Sequence, residues 1–500
     1  MSATPKPLAL PGHARVLVVG AGFAGLAVTE RVLRDDPAAD ILVIERAADI
    51  GGTWRDNTYP GCACDVPTAL YSFSFAPSPD WSHTFARQPE IQSYLQKMVA
   101  DTGIRDRILT GCELLEASWD DAAGTWRVRT SLGELTAQTL VAATGALSTP
   151  RLPDVPGIEG FRGRLFHSAT WDHDYDLTGK RVAVVGTGAS AVQFVPEIVD
   201  RVERLTVFQR TPAWVLPRGD RTLSRMEKRL YRRIPLTQKI VRAAIYTARE
   251  GYVLAMAKAP RLLPAFQLFA AAHLRRQVRD RALRRKLTPE FTIACKRILL
   301  SNDWLRTLAR ADVDLIDSGL AGVTAGGVVD GAGAETPVDA IIFATGFSPT
   351  EPPVARQLRG RDGRTLAQHW AGSPRAYLGT TVVGFPNLFL MYGPNTNLGH
   401  SSIVYMLESQ AAYINGALAH LDGGAVVEVL PAAQARYDEE IAGQLRSTVW
   451  NTGGCSSWYL DKEGRNSVMW PTFTFRYRSR TKRFDAENYQ TRRAVRESVG

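Results

Sequence analysis

Short apolar runs that end on glycine recur along this chain of 500 residues. The first, Val16 to Val19, is unbroken rather than alternating, which is the pattern of a strand buried on both faces. It leads into Gly20-x-Gly22-x-x-Gly25, after which Leu26, Val28 and Val32 follow at helical spacing. A second run, "DILVIER", closes at Glu45. The same order returns at Val182 to Val185, with Gly186-x-Gly188-x-x-Ala191, a helical pattern and then the strand-like "RLTVFQRTP". Two more runs, "TLVAATG" and "AIIFATG", end on Ala-Thr-Gly, and "NLFLMYGPN" ends on Asn395. Strands alternating with helices predict an α/β chain with parallel sheets. The periodicity stops in the seventeen residues "GGTWRDNTYPGCACDVP" from Gly51. Gly and Pro exclude a helix or strand there, while Trp54 and Tyr59 argue against disorder. This stretch predicts an ordered loop built around a ligand.

Each strand–glycine–helix unit reads as a phosphate cradle. In the first, Gly20 permits the tight turn, Gly22 admits a pyrophosphate and Gly25 lets helix and strand pack closely, with Phe23 at the helix start. Glu45 stands where an acid would accept a ribose hydroxyl bond, which suits FAD. In the second, Gly186, Thr187, Gly188, Ser190 and Ala191 form the cradle, with Ala in the third glycine position. Its following strand ends on Arg210 and Thr211 instead of an acid. An acid would repel a 2′-phosphate and these residues would bind one, which points to NADPH.

Charge alters the picture in one place. The net charge is +10, yet residues 218–297 hold 21 Lys and Arg against five Asp and Glu. Residues 218–285 read as two or three basic amphipathic helices broken by Pro235, Pro260 and Pro264. They pack as solvated helices on their domain, or they rest on an anionic membrane surface and admit lipophilic substrates. No nucleic-acid partner is expected, and the oligomeric state is not legible. Five scattered cysteines suggest a reducing compartment, and Cys62-x-Cys64 lacks a second pair at metal-ligand spacing, so no metal is expected. Cys455 reads as a packing residue. The opening residues carry Pro and Gly where a leader needs an apolar core, and no apolar run is long enough to span a bilayer. The expected location is the cytoplasm, with membrane association as the variant.

"GFRGRLFHSATWD" from Gly160 reads Phe161-x-Gly163-x-x-x-His167-x-x-x-Trp171-Asp172. It closely resembles the fingerprint of Baeyer–Villiger monooxygenases, in the Asp rather than the commoner Pro variant. The N- and S-oxygenating flavin monooxygenases look similar but usually end on an aromatic residue and then Lys or Arg. Gly51-Gly52-x-Trp54 followed by Asn57-x-Tyr59-Pro60-Gly61-x-x-x-Asp65 resembles the FAD-side signature of the same family. The resemblance covers nearly the whole chain except roughly residues 218–285.

This resemblance implies two Rossmann-like domains of the two-dinucleotide flavoprotein type, with Ala-Thr-Gly marking the crossings between them. Residues 1–150 would be the first part of a discontinuous FAD domain. Residues 151–338 would be the NADP domain with its helical insertion, and 339–500 the second FAD part and a pocket segment. Gly52, Thr53, Trp54 and Tyr71 would surround the flavin. From the residues alone Asp65 reads equally as a helix cap before Pro67; by the resemblance it would lie near the flavin and pair with Arg297, the cation poised over the ring, while Lys296 would help to hold the 2′-phosphate. Asn395 would precede a helix, capped near Ser401 or Ser402, that faces the flavin. His167 is read as fixing the interdomain linker, with a catalytic role as the alternative. The implied activity is NADPH-driven insertion of one oxygen atom from O2 beside a ketone carbonyl through a C4a-peroxyflavin, giving an ester or lactone. Heteroatom oxygenation and, less well matched, membrane-surface quinone reduction are the alternatives. A non-catalytic nucleotide sensor is the reading from outside enzymology.

Overall fold

The computed structural model describes residues 8–348, 350–421 and 424–493; residues 1–7, which open the stretch read for a leader, lie outside the described residues. Two parallel-strand systems organise the chain. The first is an eight-stranded sheet. Its parallel centre runs Gly133–Ala142, His13–Val19, Ile41–Glu45 and Ile108–Thr110. An antiparallel meander of Leu114–Asp120 and Thr125–Thr130 extends it on one side, and Leu388–Leu390 returns from the far end of the chain to pair with Gly133–Ala142. The second sheet has five strands, all parallel, in the order Val313–Ile316, Arg204–Phe208, Arg181–Val185, Ala340–Phe343 and Arg164–His167. Ile41–Glu45 is buried along its whole length, as an unbroken apolar run requires. The helices expected after each glycine motif are Phe23–Asp35 and Ala189–Ile198. The fold is therefore α/β with two Rossmann-like units.

The two Ala-Thr-Gly stretches meet. Arg151 N–H donates to the Gly346 carbonyl at 2.9 Å, Thr345 donates to the Arg151 carbonyl, and Pro150 bridges to Phe347. The two crossings thus form one paired strip. His167 lies against it, 6.0 Å from Phe347 between ring centres. Burial drives the His167 pKa down to about 4, so the ring is neutral at neutral pH. Its Nδ1 accepts the Ala169 N–H at 3.0 Å, which caps the turn after the strand.

The basic segment folds into helices Arg225–Arg233, Pro235–Val253, Leu263–Gln277 and Arg281–Lys286. Pro235 and Pro264 sit in the first turns of their helices, where the missing N–H costs nothing. The Pro235–Val253 helix directs three of its four charged side chains inward, Lys239 being exposed. Arg242 donates to the Ala69 and Ser72 carbonyls at 2.7 and 2.9 Å, and Arg249 to the His400 carbonyl at 3.4 Å. Buried Glu250 accepts from Thr474 N–H and Oγ1 at 2.9 and 2.7 Å and faces His400 Nε2 at 3.2 Å. No helix among the described residues is long and apolar enough to cross a membrane.

One expectation is corrected. Cys455 does not merely pack: it is disulfide-bonded to Cys295, with Cα atoms 6.1 Å apart. The partners are 160 residues apart in sequence, a separation that carries no local signal. Chain-entropy reasoning assigns such a loop roughly 5 kcal/mol of stabilisation. A thermal scan with and without a dithiol reductant should therefore show a clearly lower Tm in the reduced enzyme, and a Cys455→Ser variant should lose the dependence on reductant.

Candidate active site

The first cradle lies where the first strand turns into its helix. Gly20 has φ +106°, and a Cβ there would stand 2.7 Å from the Ala143 carbonyl oxygen. The second cradle repeats this closely: Gly186 has φ +107°, and its Cβ would meet the Ala344 carbonyl oxygen at 2.6 Å. Both positions demand glycine for backbone conformation and for space. Each lies against the Ala of one Ala-Thr-Gly run, which explains why the four motifs occur together. The helix N-termini at Gly22 and Gly188 have no side-chain cap, leaving their N–H groups for an anion. These features fit the pyrophosphates of two dinucleotides.

Glu45 is buried and already engaged. One carboxylate oxygen accepts the Ala21 N–H at 2.9 Å, and the other accepts from Ala47 N–H and Arg55 Nη1, both at 3.0 Å. The acid fixes the turn and keeps lone-pair capacity for a ribose hydroxyl. Gly22 backs onto Gly52, whose Cα would stand 3.7 Å from a Gly22 Cβ. Thr53 and Trp54 open the one-turn helix Thr53–Asp56, which corrects the expectation of no helix in this stretch: the turn fits between Gly52 and Pro60. Trp54 Nε1 donates to Tyr71 OH at 3.0 Å, and the Tyr71 ring meets Phe23 edge-on at 5.0 Å. Phe23, Trp54 and Tyr71 are thus one aromatic wedge beside the first cradle.

The loop from Gly51 bridges the two cradles. Gln193, on the helix of the second cradle, donates to the Ala63 carbonyl at 3.0 Å. Its Oε1 accepts from Ala63 N–H and Tyr59 OH, each at 3.1 Å. Fingerprint residue Trp171 packs on Phe194 of that helix at 5.2 Å, and Tyr59 touches the same ring at 6.1 Å. The stretch that breaks the periodicity is the strap joining the two nucleotide units.

At its end stands Asp65. Arg297 donates to it twice, Nε to Oδ2 at 2.5 Å and Nη2 to Oδ1 at 2.6 Å, across 232 residues of sequence. This is the parallel two-point geometry that makes guanidinium–carboxylate pairs strong and directional. The side chains retain 32% and 25% exposure, so the pair borders open space instead of being sealed in core. Burial works against the Asp65 carboxylate, but the Arg297 charge and hydrogen bonds, with Arg249 adding less, outweigh it and hold its pKa below the usual range. Arg297 is correspondingly held charged by Asp65. Tyr392 and Tyr459 both lie within the field of Arg297, and burial raises their pKa values above the ordinary phenol.

Lys296 and Arg210 form a second cationic centre. Burial and then the Arg210 charge lower the Lys296 pKa, and neither cation has an acidic partner among the described residues. Two cations drawn together without an acid suit a dianion, as a 2′-phosphate would be. Thr211 is exposed beside Arg210. In the second cradle Thr187 and Ser190 are half-buried, and Ala191 is fully buried against the sheet. Replacing Lys296 and Arg210 singly with alanine should each raise the KM for NADPH about ten-fold and leave that for NADH nearly unchanged, as steady-state kinetics would read.

Asn395 has φ +56°, and its Nδ2 donates to the Asn466 and Met469 carbonyls at 2.9 and 3.1 Å. It ties the Gly393-Pro394 turn to the C-terminal segment. Ser402 caps the helix Ile403–His420. Trp470 is a core residue, donating to the Phe473 carbonyl at 3.1 Å, whereas Trp458 is exposed. Sequence reasoning missed Arg249, Tyr459 and Gln193. Only their long-range contacts mark them, and no local motif does.

Two glycine cradles on two parallel sheets, joined by paired crossings and strapped by one loop that delivers an acid to a distant arginine, define a two-dinucleotide flavoprotein. The family described as flavin-binding monooxygenase-like matches residues 13–246. A Baeyer-Villiger monooxygenase of Pseudomonas aeruginosa is 48% identical over 98% of this chain and 93% of its own length. Another from Streptomyces coelicolor is 47% identical, over 98% and 94%. The crystal structure of an OTEMO complex with FAD and NADP superposes with a TM-score of 0.86 at 26% identity, covering 96% of this chain and 99% of that one. The chain belongs to the Baeyer–Villiger monooxygenase family.

Proposed function

We propose that this enzyme holds FAD in the Gly20–Gly25 cradle and NADPH in the Gly186–Ala191 cradle. There it places one oxygen atom of O2 beside the carbonyl of a lipophilic ketone, giving an ester or lactone. The cofactors, when bound, supply hydride transfer and oxygen activation. The protein's part is position and charge. Gly52, Thr53, Trp54 and Tyr71 shape the face on which the flavin would rest. Lys296, Arg210 and Thr211 would grip the 2′-phosphate and set the preference for NADPH. Arg297 presents its remaining N–H donors where negative charge develops on oxygen, and Asp65 fixes the guanidinium plane and keeps it charged. The paired crossings at 150–151 and 346–347 form the strip about which the residue 151–338 unit would turn between reduction and oxygenation. His167, neutral and bonded to backbone, serves that strip and not the proton chemistry.

The single observation that carries this reading is the two-point contact between Asp65 and Arg297, which joins the loop of the first cradle to the far end of the second nucleotide unit. The experiment is a balance of NADPH consumed, O2 taken up and ester formed by the FAD-loaded enzyme, with a ketone, a sulfide and a quinone supplied in parallel. Equimolar ester from the ketone is expected. Quinone reduction without O2 uptake, or sulfoxide alone, would overturn the ketone reading.

A further inference from the structure

One helix of the basic segment, Pro235–Val253, turns Arg242, Arg249 and Glu250 inward and apolar side chains outward. A surface helix normally turns charge to water and apolar side chains to the core. In Pro235–Val253 the inward row is Gln238, Arg242, Tyr246, Arg249 and Glu250, each bonded to protein as described for the arginines and the acid; Gln238 donates to the Ser78 carbonyl at 2.6 Å. The outward row is Leu236, Ile240, Ala243, Ala244 and Thr247, all exposed. Leu236 and Ile240 are 62% and 58% exposed. The Leu263–Gln277 helix buries the apolar row Leu263, Ala270 and Leu274, yet leaves Leu268 and Phe269 73% and 57% exposed. Met226 on the Arg225–Arg233 helix is 77% exposed. Most of the large apolar side chains that the described residues expose fall in this one segment. Scattered exposed leucines need no explanation, but a run of them across three consecutive helices does.

The same outer faces carry cations. Arg225, Arg229, Arg233, Lys239, Arg275 and Arg276 are all exposed, and none forms an ion pair among the described residues. A second copy of this chain would set these cations against their own kind in a two-fold contact. An anionic phospholipid surface satisfies both features: apolar side chains enter the acyl boundary and Lys and Arg meet the headgroups. We propose that the outer faces of residues 225–276 form a docking surface for an anionic bilayer. The inner face of the same helix brings Arg249 into the field of Asp65 and Arg297. A bilayer seated outside would then be about one helix diameter, roughly 10 Å, from the site. That would let a lipophilic ketone enter from the membrane, a consequence that rests on the proposed function; the docking itself does not.

The test is co-sedimentation of the FAD-loaded enzyme with vesicles of phosphatidylcholine containing a minority of phosphatidylserine, and of phosphatidylcholine alone. Binding to the anionic vesicles is expected, weakening with added salt. The double variant Ile240→Glu with Phe269→Glu should bind them at least about ten-fold more weakly, keep its flavin and turn over a water-miscible ketone as the wild type does. Absence of sedimentation with either vesicle would overturn the proposal. So would a variant that sediments as well as the wild type, because charge alone would then account for binding. So would a lipid-free dimer, seen by sedimentation velocity, that the double variant dissociates. Vesicle binding is read without turnover, so a failure of the oxygenase reading and a failure of the surface remain distinguishable.

Discussion

Arg297→Ala is expected to abolish ester formation to within about a hundredth of the wild-type rate or less, with FAD content and reduction by NADPH retained. The argument starts from geometry. Arg297 uses Nε and Nη2 on Asp65, so its other N–H groups are free to face an oxygen that gains negative charge. Alanine removes those donors and leaves the two cradles, both more than a hundred residues earlier in the chain, untouched. NADPH and O2 should therefore still be consumed, with hydrogen peroxide in place of ester. Ester yield by gas chromatography, set against NADPH oxidation, reads the split; coupled ester formation at the normal rate would refute the role. Asp65 adds a pH statement. Its folded pKa lies below the ordinary carboxylate value, so the pair's contribution is complete above that value and is lost only as pH falls through the lowered one. Between neutral and mildly alkaline pH this pair should impart no inflection to the rate.

Gly25→Ala is expected to yield protein with little or no flavin. A Cβ at Gly25 would stand 1.9 Å from the Gly20 carbonyl oxygen, and that contact is with backbone rather than with a side chain that could swing away. Helix and strand must separate, and the turn that cradles the pyrophosphate opens with them. Flavin absorbance per mole of purified protein should fall at least about ten-fold, since even a 1.4 kcal/mol loss is a decade in binding. Gly251→Ala is the control: nothing lies within 4 Å of its Cβ, and it should keep full flavin. Full occupancy in Gly25→Ala would mean that the cradle tolerates what its geometry forbids.

The cradles were legible because their signal is local. A tight turn, a close backbone approach and a helix start each need particular residues at fixed offsets, and Gly20, Gly25, Gly186 and Ala191 stand at those offsets. The Asp65–Arg297 pair was reached only through the family resemblance. Read blind, Asp65 is equally a helix cap, and nothing within a few residues of either partner names the other. The Cys295–Cys455 bond was missed for the same reason. The insertion shows the limit most clearly. Its sequence announces basic helices with boundaries at its prolines, though four helices form where two or three were expected, and periodicity says only that a helix has two faces.

By itself, then, the sequence determined two nucleotide units, their order along the chain and the acid-free cationic end of the second, because short-range backbone geometry imposes those residues. The tertiary structure alone decided which carboxylate meets which guanidinium, which cysteines join, and that Arg242, Arg249 and Glu250 turn inward while Ile240 and Phe269 turn out. Those outcomes depend on the carbonyls, rings and charges that happen to face each helix once the chain has closed, and a linear pattern holds no record of them.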